Sequence, residues 1–585
     1  MQLISDFKRQ FANNRAFALA AIVIVVMTII VARLFWLQIV QHDKYVEMAN
    51  REQLKRLVIP AKRGTIFAMD NDKPVRLVMN EVVYTAFVDP AIVGESDKIS
   101  ETFKRIAGGN LRSNPVEIIE RGKSKDSRYE IIATKLSRTQ AEMIKAEGLP
   151  GVGFQEVSQR VYPEGQLAAQ TLGFVNSEGN GQYGIEGALD KRLRGEDGLL
   201  QSVTDVSNVP LTIGNQNIDI PAKHGENIAL SIDRNVQAKT EQAMAAGLEK
   251  SGATHASAVV MNPNTGKIMA MANLPTYDPS NYHQVTDPSV FMNAAAAVPY
   301  EAGSVIKTLT VAMGLDRGVI SPESRYFNSD QIKVGDHVIG NATKGHTGSI
   351  SMQTALNYSL NTGMVDILQR LGDGTINRQA RDMTYDYFYN KFGLTQKTGL
   401  EIAGEAGGMI ITPDHVNGNA VQYATMSFGQ GMNVTMVQVA AALSSAINGG
   451  TFYQPSLIAG TVENGKLKAT KPQVTRSGVI GQSASDNLRV MMESARSTFY
   501  GTQDKPGFKI GGKTGTSETV VDGDYSGQQT IGTYLGYGGD NQPQYVIMVQ
   551  VSGEGMNLEG GKHAAPIFTD ISNWMIDYLK LQPKG

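Results

Sequence analysis

The strongest pattern along the chain lies at its start, where residues 16–32 are uncharged and almost wholly apolar and residues 34–40 extend the run beyond a single Arg33. A bilayer-spanning helix needs about 20 such residues, and an arginine near its end can snorkel to the surface. The run exceeds a signal-peptide core, follows Lys8, Arg9 and Arg15, and precedes no convincing small-residue cleavage site. It predicts an uncleaved anchor over residues 15–40, with a cytoplasmic tail of residues 1–14 and the rest outside. Lys44 and Arg51 weaken the charge contrast. A cleaved signal peptide is the alternative, and no second span is expected.

From 41 to 224, β-rich runs such as 82–88 mix with charged helical stretches and frequent glycine, and no catalytic cluster is visible. Gly179, Gly181 and Gly184 spell G-x-G-x-x-G, but no complete βαβ unit surrounds them, so a flexible loop is expected rather than a dinucleotide site. Near Gly225 the elements become longer. Residues 228–232 read as a strand, 235–250 as an amphipathic helix, and 256–261 and 267–272 as strands joined by the turn Asn262-Pro263-Asn264-Thr265-Gly266. A helix-rich middle and a strand group after Phe508 complete an α+β domain over 225–585, with helices packed on a largely antiparallel sheet.

At 585 residues the chain is too long for one core. Its 54 basic and 56 acidic residues leave a net charge of -2 with no long basic tract, so no nucleic-acid partner is expected. The absence of cysteine removes disulfides, thiol nucleophiles and cysteine-ligated metals while leaving the compartment open. The eight histidines include no H-E-x-x-H and no ligand pair, so His255 and His346 read as structural or substrate-side, and no metal or cofactor is expected.

The candidate chemistry begins at Ser304-Val305-Ile306-Lys307, which follows Gly303 and opens an apolar helical stretch. One helical turn brings a lysine amine beside a serine hydroxyl, and the positive helix end favours a developing alkoxide. A lysine at its ordinary pKa of about 10.4 is a poor base, so it must be desolvated or set near another cation. S-x-x-K alone is weak, arising roughly twice by chance in a chain of this length. Ser5 and Lys8 match it too, on the side of the anchor away from an exported substrate.

Two companions follow in order: Ser359-Leu360-Asn361 and Lys513-Thr514-Gly515-Thr516. Each has a decoy. Ser485-Asp486-Asn487 opens a helical stretch and reads as an N-cap, while Lys397-Thr398-Gly399 sits in a loop-like stretch. Lys513 instead follows the strand-like Phe508-Lys509-Ile510, which suits an edge strand bordering a cleft.

The ordered set S-x-x-K, S-x-N, K-T-G is that of serine β-lactamases and penicillin-binding proteins. Over nearly its whole length the chain resembles class B penicillin-binding proteins. Tyr300-Glu301-Ala302-Gly303-Ser304 resembles the family's Y-E-P-G-S, Ser427-Phe428-Gly429-Gln430-Gly431 its S-F-G-Q-G, and 392–405 its F-G-x-x-x-x-T-G region ending in G-E, which accounts for the Lys397 decoy. Arg63-Gly64-Thr65-Ile66, Arg160-Val161-Tyr162-Pro163 and Gly184-Ile185-Glu186 resemble motifs of its non-catalytic, dimerisation-like pedestal. Ala68-Met69-Asp70-Asn71 departs from the family's D-R-N-G, and Ala302 and Ile306 replace the usual proline and aromatic or methionine.

The resemblance implies that Ser304 attacks the D-alanyl-D-alanine carbonyl of a peptidoglycan stem peptide while Lys307 takes its proton. It implies that Ser359 relays a proton to the departing D-alanine, and that Asn361 holds the substrate amide and orients Lys307. Lys513, Thr514, Gly515 and Thr516 would bind the terminal carboxylate, Lys513 also helping to keep Lys307 neutral. The N–H groups of Ser304 and Thr516 would form an oxyanion hole, where one donor is worth about 3 kcal/mol. An amine acceptor on a second stem peptide then completes a cross-link, the resemblance implying the septal one of the cell-division type. β-Lactams are the implied covalent inhibitors and a SEDS-type glycan polymerase, with other division proteins, the implied partner. No glycosyltransferase domain is expected. A β-lactamase or β-lactam sensor of the same fold, or a membrane-tethered scaffold, are the competing readings.

Overall fold

The computed structural model describes residues 2–45, 48, 54–203, 218–521 and 524–583. They form two compact units, Met1–Ala61 with Gly195–His224, and Lys62–Arg194 with Gly225–Gly585. In the first, a helix over Gln2–Phe35 runs into a π-helical turn at Trp36–Val40. Its stretch Arg15–Val40 is the one helix among the described residues long and apolar enough to cross a membrane. The side chains of Ser5 and Lys8 lie outside the described residues. The same unit holds a three-stranded antiparallel sheet with Gly198–Val203 between Leu54–Ile59 and Ile218–Ile220.

In the second unit the N-terminal part is built on Lys73–Val88, a long strand paired with Glu130–Leu136 and Val152–Val161. Helices Ser96–Ile106, Pro115–Ser124 and Arg138–Ala146 cover it. Their buried residues follow helical spacing, Ile99, Phe103 and Ile106 on the first, Ile118 and Ile119 on the second, Ala141 and Ile144 on the third, and together with Ala86, Val88 and Ile132 they form one apolar core. This sheet continues through Ile66–Asp70 into Ile228–Asp233, which runs parallel to it, and on to Ile458–Glu463 and Lys466–Ala469.

The three pedestal-like sequence motifs converge on one buried ion cluster. The Glu186 carboxylate, fully buried, accepts from Arg63 Nε at 2.8 Å and from Arg160 Nε at 2.7 Å. Arg63 also donates to Asp190 at 2.8 Å, and Arg160 to the Gly64 carbonyl at 2.7 Å and to Asn80 at 2.9 Å. The expected flexible loop at Gly179–184 is instead part of this packing. Phe174–Val175 and Gly181–Gln182 pair as a short hairpin, and a Cβ on Gly181 would lie 1.9 Å from the Glu186 carbonyl oxygen. Gly181 and Gly184 serve close backbone approach beside an ion cluster, while Gly179, with φ +81° and open space around it, makes the exposed turn.

The C-terminal part is organised on five antiparallel strands: β1 (His255–Met261), β2 (Ile268–Leu274), β3 (Lys509–Val521), β4 (Asp524–Gly539) and β5 (Pro543–Ser552), in the order β2-β1-β5-β4-β3. Both faces are covered, so alternate residues enter two cores: Val259 and Met261 the larger one, Ala256, Ala258 and Val260 the smaller. Helices Arg234–Ser251 and Ala565–Tyr578 close the smaller core. Asp233 starts the former by accepting from the N–H groups of Asn235 and Val236. On the other face Lys307–Asp316 is buried along almost all its length, with Asn361–Leu371, Met436–Ile447 and Gln482–Tyr500 contributing to the same core. Its buried hydroxyls are satisfied, Thr308 by the nearby Val305 carbonyl at 2.7 Å and Thr310 by that of the distant Ser427 at 2.6 Å.

Removing one member of a buried ion cluster leaves its partners charged and desolvated. Glu186→Gln is therefore expected to destabilise the chain by about 3–5 kcal/mol, read as a lowered midpoint in urea denaturation, whereas Lys223→Gln, whose pair with Glu196 is exposed, should leave the midpoint unchanged.

Candidate active site

Ser304 lies in a 3-10 turn, Gly303–Ile306, that leads straight into the helix beginning at Lys307. That turn is held by contacts too close for a side chain. Gly303 has φ +62° and donates its N–H to the Gly429 carbonyl at 3.1 Å, while a Cβ on Gly429 would fall 2.0 Å from the Gly303 oxygen. Glu301 accepts from the Gly431 N–H at 2.8 Å. On the other side Ser517 donates to the Glu301 carbonyl at 2.5 Å, and a Cβ on Gly515 would meet Thr533 Oγ1 at 2.2 Å and the Ala302 oxygen at 2.9 Å. The Y-E-A-G-S, S-F-G-Q-G and K-T-G segments are thus locked backbone to backbone.

Lys307 is fully buried, and its Nζ donates to the Ser359 carbonyl at 2.6 Å and approaches Ser359 Oγ at 3.1 Å. Ser359 joins helices Met352–Asn357 and Asn361–Leu371 with φ +58°, a left-handed conformation that costs a non-glycine residue about 1–3 kcal/mol and that occurs at functional sites. Desolvation pushes the Lys307 ammonium well below the ordinary lysine value, and the charge of Lys513 pushes it further. Lys513, 3 % exposed on the edge strand β3, is itself brought down to about 7 by burial. Its Nζ donates to the Thr514 carbonyl at 3.0 Å and to Thr514 Oγ1 at 3.2 Å.

A cavity of about 800 Å³ is lined by Ser304, Lys307, Ser359, Asn361, Thr514 and Thr516. Lys513 and Gly515 stand behind its wall, Lys513 reaching it through Thr514. Thr516 Oγ1 accepts from the Gly560 N–H at 3.2 Å. One expected contact differs. Asn361 donates to the Gly340 carbonyl at 2.8 Å, and among the described residues the hydrogen-bond partner that orients Lys307 is Ser359.

Both decoys have structural explanations. Thr398 donates its N–H and hydroxyl to Glu405 Oε1 at 2.7 and 2.6 Å, and Gly399 N–H reaches Oε2 at 3.1 Å, so that loop is clamped by its own glutamate. Ser485 is not an N-cap: the helix starts at Gln482, and buried Ser485 accepts from the Gly449 N–H at 3.1 Å. His346, read as structural or substrate-side, does line the cavity, its ring 3.7 Å from that of Tyr358, while sequence reasoning missed the rest of the outer wall, Tyr358, Phe499, Tyr500 and Glu559. No local motif marks these residues, since they come from three distant stretches, at 358, 499–500 and 559. His255 lies away from this cavity and hydrogen-bonds Thr254. No group of three or more metal-ligating side chains occurs among the described residues.

Residues 256–573 match the penicillin binding protein transpeptidase domain and residues 58–230 the penicillin-binding protein dimerisation domain. The chain is 29 % identical over 567 residues to stage V sporulation protein D of Bacillus subtilis, covering 96 % of this chain and 85 % of that one. It is 26 % identical over 594 residues to the peptidoglycan D,D-transpeptidase FtsI of Escherichia coli, covering 98 % and 93 %. The fold is shared with penicillin binding protein 2X of Streptococcus thermophilus, at TM-score 0.71 and 22 % identity over 90 % of this chain and 80 % of that one. It is shared too with penicillin binding protein 3 of Mycobacterium tuberculosis complexed with aztreonam, at TM-score 0.66 and 24 % identity over 90 % and 98 %. With an ordered S-x-x-K, S-x-N and K-T-G set on a sheet and helices of this kind, the chain belongs to the class B penicillin-binding proteins, serine-type peptidoglycan D,D-transpeptidases with a dimerisation domain ahead of the transpeptidase domain.

Proposed function

We propose that this chain cross-links peptidoglycan stem peptides through an acyl-enzyme on Ser304. The observation that carries the reading is the buried Lys307 amine, one helical turn from Ser304 and held by Ser359 on a shared cavity. Neutral Lys307 takes the Ser304 hydroxyl proton as Oγ attacks the D-alanyl-D-alanine carbonyl. The N–H groups of Ser304 and Thr516 receive the developing oxyanion. Ser359 passes the proton to the nitrogen of D-alanine, which leaves as the peptide bond breaks. Lys513, with Thr514, Gly515 and Thr516, holds the substrate carboxylate, and Asn361 the substrate amide. An amine of a second stem peptide then attacks the ester, forming the new amide and returning the proton to Ser304.

β-Lactams acylate the same serine in this reading, supported by a relative whose structures hold aztreonam and ampicillin. The apolar helix serves as a membrane anchor with residues 1–14 cytoplasmic, a pedestal over 41–224 and a transpeptidase domain over 225–585 outside. The place of action is the septum, beside a SEDS-type glycan polymerase, on the strength of the resemblance to cell-division members.

Labelling with a fluorescent penicillin followed by peptide mapping is expected to find a long-lived adduct on Ser304, and Ser304→Ala should abolish it. Rapid penicillin hydrolysis would instead make the protein a β-lactamase, and full cross-linking by Ser304→Ala would make it a scaffold. The pH dependence follows from the two lysines. Acylation needs Lys307 without its proton, so kcat/KM falls on the acid side; it needs Lys513 with its proton, so kcat/KM also falls as pH rises past about 7. Lys513→Arg, which stays charged, should remove the alkaline fall in stopped-flow acylation by a penicillin and leave the acid one.

A further inference from the structure

The S-x-N serine is presented by a helix that cannot cap itself. Helix Asn361–Leu371 follows Leu360, whose side chain has no acceptor, and Ser359 just before it is the residue in the left-handed conformation. The first four N–H groups of a helix need partners from elsewhere. That of Thr362 donates to Asn341 Oδ1 at 3.0 Å. Asn341 comes directly after the hairpin Gln331–Val334 with His337–Gly340, is 3 % exposed and lines the catalytic cavity. Its amide is held one way round. A backbone N–H can only donate, so the oxygen faces Thr362, and the NH₂ end donates to Asn328 Oδ1 at 3.1 Å and to Asp330 Oδ1 at 3.4 Å. Asn328, fully buried, is fixed in turn: its Oδ1 accepts from the Asp330 N–H at 3.0 Å and the Thr362 hydroxyl at 2.9 Å, and its Nδ2 donates to the His346 carbonyl at 2.6 Å. A buried amide network satisfied at both ends is a rigid support, and this one terminates on the residue after Asn361.

We propose that Asn341 is a positioning residue for acylation: by capping the helix at Thr362 from a separate segment, it holds the left-handed turn in which Ser359 meets Lys307. This rests on the transpeptidase reading above, in which Ser359 passes a proton to the departing nitrogen. Without Asn341 the Thr362 N–H is buried and unpaired, and the strained turn relaxes, carrying the Ser359 hydroxyl and carbonyl away from Lys307 Nζ. The chemistry separates such a role from general support. When a C–N bond breaks, the nitrogen must receive a proton, which Ser359 gives and recovers from the Lys307 ammonium. When a C–S bond breaks, the thiolate leaves as an anion and the proton stays on Lys307. Misplacing Ser359 therefore harms an amide leaving group more than a thioester one.

The test compares single-turnover acylation of the full chain in detergent by benzylpenicillin and by the thioester N-benzoyl-D-alanylthioglycolate. Asn341→Ala is expected to slow the penicillin reaction at least about tenfold more than the thioester reaction. Ser359→Ala should show the same selectivity, and adding Asn341→Ala to it should leave the ratio of the two rates unchanged, since both changes act through one hydroxyl. Where urea denaturation finds Asn341→Ala unfolded, Asn341→Ser, which keeps a shorter acceptor, decides the matter by a smaller shift in the same direction. Equal slowing of the two reactions, no slowing of either, or a further change of the ratio in the Ser359→Ala background overturns the proposal while leaving the transpeptidase reading intact. A parent chain that neither reagent acylates overturns that reading, and the proposal with it.

Discussion

The active-site arrangement depends on removing one lysine amine from water. Lys307 is enclosed in a helix that is buried on nearly every side, and an ammonium there would need either a counter-charge or a shell of acceptors. It is offered two oxygens from a single residue, Ser359, and a second buried lysine as neighbour. No carboxylate is among those contacts, so the least costly state is the neutral amine. Ser359 can present its carbonyl and its hydroxyl to one nitrogen because its backbone turns left-handed, and the flanking helices hold it in that strained form. Base strength at the site is therefore a property of packing rather than of any ion pair.

Packing at that density requires backbones closer than side chains allow. Gly303, Gly429 and Gly515 are each placed where a Cβ would overlap a neighbouring carbonyl or hydroxyl, and they join the serine turn to a helix-rich segment on one side and to the edge strand β3 on the other. An enlargement at any of them would move Ser304 relative to Lys513 without touching either. Gly512 extends the same logic, since its missing Cβ leaves room for the Tyr534 hydroxyl, which in turn receives a bond from the fully buried Arg496 at 2.7 Å.

Local patterns carried much of this in the sequence. The strands 228–232, 256–261 and 267–272 and the helix 235–250 were legible because apolar periodicity and turn residues agree there, and the structure moves their ends by only one or two residues. Ser304 with Lys307 was legible because a helical turn fixes that pair by itself. What was not legible came from tertiary pairing. Nothing near Ile228 signals that its strand runs parallel to Ile66–Asp70, and the surroundings of Ser485 and Gly181 are set by Gly449 and Arg63, far away in sequence. Asn361 illustrates the same limit inside the motif, because its partner Gly340 lies on a separate hairpin.

The unit also answers the problem of buried charge in two opposite ways. Around Glu186 two arginines and two carboxylates are matched, and guanidinium groups are suited to this because they cannot lose their protons and can donate in several directions at once. At Ser304 the buried cations are lysines, which shed a proton when desolvated. The distinction follows from what each place requires. A cluster that ties together Arg63, Arg160 and Glu186 from distant segments works through paired charges. The proton acceptor proposed at Lys307 must be able to change state.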